Sequence, residues 1–185
     1  MLKKFSTKQL VFIALVAAFM LLIDLLVVAP INSFSGVSGM GFLIDVIFIN
    51  AIVTFVAIIL KKVFSITLVY TLFGILVIPT SVLGPPTPFK IILGAIIGLT
   101  ADFIIWIFGY KKAGYIFGVA VANAISYPVG LFFAVLLGLP GTEALSAVVW
   151  YLTATVLILG LFGDYLGMYV HKKLKDKNIV RQLRD

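Results

Sequence analysis

Between Val11 and Ala29 the chain carries one charged residue, Asp24, in an otherwise apolar run. That is close to the ~20 residues an α-helix needs to cross about 30 Å of hydrocarbon. Few soluble folds can bury several such runs, and this chain contains more than one. Hydrophobic residues make up 63% of the sequence and charged residues 11%, and the mean hydropathy is +1.24. Polar residues collect in short stretches between the apolar runs. The pattern predicts an all-α membrane protein in which several helices form one bundle. The short alternating segments of a membrane β-barrel are not seen.

The start, MLKKFSTKQL, has the basic character of a signal-peptide n-region. The apolar run behind it is too long for one, and Pro30 follows where a small-residue cleavage site belongs. It reads as a retained transmembrane helix. Six spans fit, at about 9–29, 42–60, 63–83, 89–109, 113–138 and 143–170, with a basic tail over 171–185. Pro128 is expected to kink the fifth. No repeat and no separate soluble domain is evident.

Charge sets the orientation. With the N-terminus in the cytoplasm, Lys3, Lys4, Lys8, Lys61, Lys62, Lys111, Lys112 and the tail cluster are all inside. Only Lys90 of the 14 Lys and Arg falls outside. The asymmetry places both termini in the cytoplasm of a multi-pass protein in a prokaryotic plasma membrane. The net charge of +7 is then a topology signal. Attraction to anionic lipid is expected of the tail, and nucleic-acid binding is not. The opposite loops, 30–41, 84–90 and 138–143, are rich in Gly, Pro and small polar residues, as shaped loops around a site or plain connectors would be.

Ionisable groups inside a membrane are costly and mark candidate sites. Asp24 lies in the outer half of span 1 and needs a partner. Lys90 is the outer-side cation available, either to Asp24 or to an anionic group on a solute. Asp45 and Glu143 sit near helix starts, which suit carboxylates, or they face the same solute. Asn32, Asn123, Tyr127 and Trp150 complete the candidate binding set, with Ser33, Asn50 and Ser126 as further lining. Asp102 and Asp164 lie among small residues, in GAIIGLTADF and GLFGDYLG. They are expected to hold helices together, with proton coupling as the alternative.

No catalytic residue is assigned. HExxH, GxSxG and Walker A sequences are absent, and enzyme activity is not expected. His171 is the single histidine and there is no cysteine, so no metal site and no disulfide is expected.

Several features together resemble the substrate-binding S component of an energy-coupling factor (ECF) transporter. They are the basic entry into an alanine-containing first helix, KKFSTKQLVFIALVAAF, the six spans in a short chain, and the later helix KIILGAIIGLTADFIIWIFGYKK. Ala14 and Ala18 match the family's AxxxA pattern. Gly94, Gly98 and Asp102 are similar to its small-residue helix ending near an acid. The resemblance implies capture of a vitamin or related micronutrient near the outer face. It also implies docking through helix 1 on a transmembrane coupling subunit, with ATP used by two partner ATPase subunits and no cofactor in this chain. Patterns for biotin, riboflavin or thiamine are not found, nor is the N-terminal histidine of cobalt and nickel types. The alternatives are a small ion-coupled secondary transporter and a non-transporting membrane assembly protein.

Helical geometry separates the alanines of FIALVAAF. Ala17 and Asp24 point within about 20° of each other, while Ala18 lies about 120° from Asp24. Ala17 is therefore expected to face the interior, and Ala14 with Ala18 a partner helix.

Overall fold

The computed structural model describes residues 4–28, 30–31, 34, 40–80, 87–138 and 142–184. Among these every regular element is helical. Helix α1 (Thr7–Ile23) runs directly into a π-helical turn, Asp24–Val28. Then follow α2 (Met40–Leu60), α3 (Ser65–Leu76), α4 (Phe89–Ile107), α5 (Lys112–Leu136), α6 (Thr142–Leu174) and α7 (Asn178–Arg184). Five helices are long and apolar enough to cross a membrane: α1 with its π turn, α2, α4, α5 and α6.

The expected third span, 63–83, differs. Its helix has 12 residues, about 18 Å at 1.5 Å per residue, short of the hydrocarbon thickness. A short helix leaves terminal amides and carbonyls unpaired, and in lipid these must be satisfied by protein. Helix α4 does this at both ends of α3. Asp102 accepts from the backbone amides of Ile66 (3.4 Å) and Thr67 (2.8 Å) and from the Thr67 hydroxyl (2.7 Å). Lys90 donates its amine to the carbonyls of Val77 (3.0 Å) and Thr80 (2.6 Å). An acid at the N-terminus and a cation beyond the C-terminus also complement the dipole of α3.

Glycine brings these helices close. A Cβ at Gly94 would overlap the Tyr70 carbonyl, and one at Gly98 would overlap the Thr67 backbone. On α6, Gly163 and Gly167 bear in the same way on Ile47 and Ala51 of α2. The main core runs between the helices through Ile13, Val53, Val56, Ile66, Val69 and Val119, all fully buried. Helix α5 continues through Pro128 without interruption.

The two chain ends meet. Ser6 and Gln9 form a reciprocal capping box at the start of α1. The Gln9 amide also donates to the Leu183 carbonyl of α7 at 2.8 Å, and Lys62 donates to the Gln9 side chain at 2.6 Å and the Lys4 carbonyl at 2.7 Å. Val180 and Leu183 are buried in the main core. The expected basic tail is therefore partly built in: α6 reaches Leu174 and α7 packs back onto the bundle. Helix α4 ends in a Schellman motif, with Gly109 left-handed, Gly109 N–H on Trp106 and Tyr110 N–H on Ile105. The Tyr110 phenol in that turn is pushed above its usual range by burial and then by Asp102.

Candidate functional site

Asp24 stands where α1 changes to π geometry, and Asp45 stands in the second turn of α2. Consecutive helices joined at one end put these positions at similar depth. Their carboxyl groups meet, and each residue is 2% exposed. Oδ2 of Asp24 and Oδ1 of Asp45 receive no hydrogen bond from the protein. Two adjacent carboxyl groups removed from water need a positive charge or proton between them, because their repulsion is poorly screened there.

The carboxyl pair opens on a cavity of about 30 Å³, room for a water-sized group. Tyr70, Asn123 and Ser126 supply its other polar walls, and Val46, Ile49, Phe73 and Ile97 its apolar ones. Neither lysine nor arginine is among these lining residues.

Below the cavity a buried polar chain continues toward the basic end. The Asn123 amide donates to Asn50 Oδ1 at 2.6 Å and to the Tyr70 hydroxyl at 2.7 Å. One turn further along α2, the Thr54 hydroxyl donates to Asp164 at 2.6 Å. The Ala120 amide donates to the other Asp164 oxygen at 3.0 Å. Asp164 is fully buried and ties α6 to α2 and α5. Asp102 and Asp164 thus make the helix-to-helix contacts expected of them.

Other candidates lie elsewhere. Lys90 is fully buried and its amine is held by the Val77 and Thr80 carbonyls, so it neither pairs with Asp24 nor lines the cavity. Trp150 is 72% exposed on the outside of α6, away from the cavity. Glu143 is exposed in the first turn of α6. Tyr127 is half-buried and packs against Val46, Ala124 and Val156 beside the cavity rather than in its wall. Asn32 and Ser33 lie outside the described residues, as do most of the three Gly- and Pro-rich loops. On α1, Ala17 is fully buried while Ala14 and Ala18 are exposed.

Sequence reasoning missed Tyr70, Phe73 and the meeting of Asp24 with Asp45. The last had a signal: two acids flanking one interhelical connection. Tyr70 and Phe73 had none, because an aromatic residue within an apolar helix is ordinary.

Comparison with protein-family models, with curated proteins and with solved structures finds no match to the chain.

Proposed function

We propose that the chain is a membrane-embedded solute-capture protein of the ECF S-component kind, with its solute site at the Asp24–Asp45 cavity. The observation that carries this reading is a buried cavity between apolar helices whose wall holds two carboxylate oxygens without protein donors. A carboxyl pair kept only for packing would have its oxygens satisfied by neighbours, as those of Asp102 and Asp164 are.

Six passes with both termini cytoplasmic form part of the proposal. Gln9 and Leu183 are hydrogen-bonded, so the two chain ends share one side of the bundle. An even number of passes agrees with this, and in the proposal the short α3 counts as the sixth. Lys62 lies at that same end, and the positive-inside rule makes it cytoplasmic. In this cysteine-free chain, single cysteines at Ser6, Lys112 and Lys175 should resist an impermeant thiol reagent in intact cells. Labelling from outside would reverse the orientation.

The exposed Ala14 and Ala18 form the face proposed to dock on the coupling subunit. Co-expression with a transmembrane coupling subunit and two ATPase subunits should yield a complex that takes up solute only with ATP. No association would exclude the capture-subunit reading. The buried polar residues Asn123, Asn50 and Thr54 between the carboxyl pair and Asp164 favour a second reading, an ion-coupled carrier. Uptake by the chain alone in liposomes, driven by an ion gradient without ATP, would select it.

A further inference from the structure

The Asp24–Asp45 cavity has a definite charge preference. Its two orphaned carboxylate oxygens are buried, and no lysine or arginine is among the described residues of its wall. Lys90, the buried cation of this region, is held by main-chain carbonyls. The charge that a proton shared by the two carboxyl groups does not cancel is therefore left for a ligand to balance. Tyr70 and Phe73 add aromatic rings to the same wall, and aromatic faces attract cations through their quadrupole.

Three kinds of cation fit these walls unequally. A divalent metal takes about four to eight ligands, from His, Cys and carboxylate for zinc and from oxygen for calcium or magnesium, yet Asp24 and Asp45 are the acids of this wall and much of the rest is ring and aliphatic carbon. An inorganic monovalent cation gains nothing from the hydrophobic part of the wall. A protonated amine uses both: its N–H donors meet the carboxylate oxygens and its carbon end meets Phe73, Val46 and Ile97. The available space, about 30 Å³, accepts an ammonium head of about the size of water.

We propose that the solute of this site is an organic cation whose protonated amino group sits in the cavity against the Asp24–Asp45 pair. This rests on the capture reading for its biological role, but not for its test. The full-length protein in detergent is heated with methylammonium chloride, with sodium chloride at equal concentration as the ionic control. Methylammonium should raise the melting temperature in a saturable manner and sodium should not. Asp45→Asn and Asp24→Asn each remove one charge without changing shape, and each should weaken methylammonium binding at least about 30-fold. Because either variant could unfold, Ser126→Ala and the unsubstituted protein are measured alongside. The unsubstituted protein decides the matter on its own.

Equal stabilisation by both salts, or by sodium alone, overturns the proposal. So does methylammonium binding that survives Asp45→Asn in a folded protein. ATP-driven uptake of a neutral or anionic solute by the assembled complex, with no methylammonium binding, would retain the capture reading and remove the cationic substrate. Asp45-dependent binding of methylammonium in a chain that joins no coupling subunit would do the reverse.

Discussion

Lys90 and Asp102, towards the two ends of α4, close the two ends of the same neighbouring helix. Asp102 accepts from the first amides of α3 and Lys90 donates to the carbonyls just beyond its last turn. A lysine that reads in sequence as a solute ligand and an acid that reads as a helix-to-helix contact therefore let a 12-residue helix sit inside an apolar bundle. In water the same helix ends would be solvated without help. In hydrocarbon an unsatisfied backbone group costs several kcal/mol.

Replacing Lys90 with methionine keeps the apolar stem and removes the amine. The Val77 and Thr80 carbonyls then lose their donor, and the protein should lose about 1–3 kcal/mol of stability. Unfolding in mixed micelles measures it, with methylammonium binding unchanged in the protein that remains folded. Lost binding at unchanged stability would put Lys90 in the site after all.

Asp102→Asn and Thr67→Val each remove part of the cap at the start of α3. Each should cost about 1 kcal/mol. Because they share a hydrogen bond of 2.7 Å, the double variant should depart from additivity by about 0.5 kcal/mol or more. Strict additivity would show that the two side chains act separately.

Gly94 and Gly130 make an internal control on helix packing. Glycine to alanine within a helix ordinarily gains about 1 kcal/mol. At Gly130 a Cβ meets nothing within 4 Å, so Gly130→Ala should be neutral or stabilising. At Gly94 it meets the Tyr70 carbonyl, which is main chain and cannot swing away. Gly94→Ala should destabilise by about 1–3 kcal/mol. Equal melting temperatures for the two variants would contradict the close approach of α3 and α4.

Ala14, Ala17 and Ala18 should respond differently to tryptophan. Ala17 is fully buried, so Ala17→Trp should prevent folding, seen as loss of a monodisperse peak in detergent. Ala14→Trp and Ala18→Trp should fold and bind methylammonium as the unsubstituted protein does, yet fail to assemble with a coupling subunit. Normal assembly by both would move the docking face elsewhere.

Leu183→Ala removes a buried side chain that holds α7 to the core. A loss of about 2 kcal/mol or more is expected, together with faster proteolysis after Leu174. An unchanged digestion pattern would mean that α7 contributes no stability.

The helical class, the five long apolar helices and the burial of Ala17 opposite exposed Ala14 and Ala18 were legible in sequence. Each follows from a periodicity or a length that one helix imposes on its own residues. The basic segment before α1 and Lys62 after α2 meet, which follows from two helices being consecutive. Other assignments required the packed bundle. Lys90 and Asp102 carry no mark that they serve α3, because their partners are backbone groups exposed by a helix end whose position is set in three dimensions. Trp150 and Tyr127 are both aromatic and close to expected spans, and only the rotation of α5 and α6 against α2 decides that neither lines the cavity. In sequence Asp24 reads as an acid inside span 1 in need of a cation, and Asp45 as a separate acid near a helix start. Tertiary structure made them one site, because carboxyl groups on different helices interact only when packing fixes both the depth and the facing of those helices.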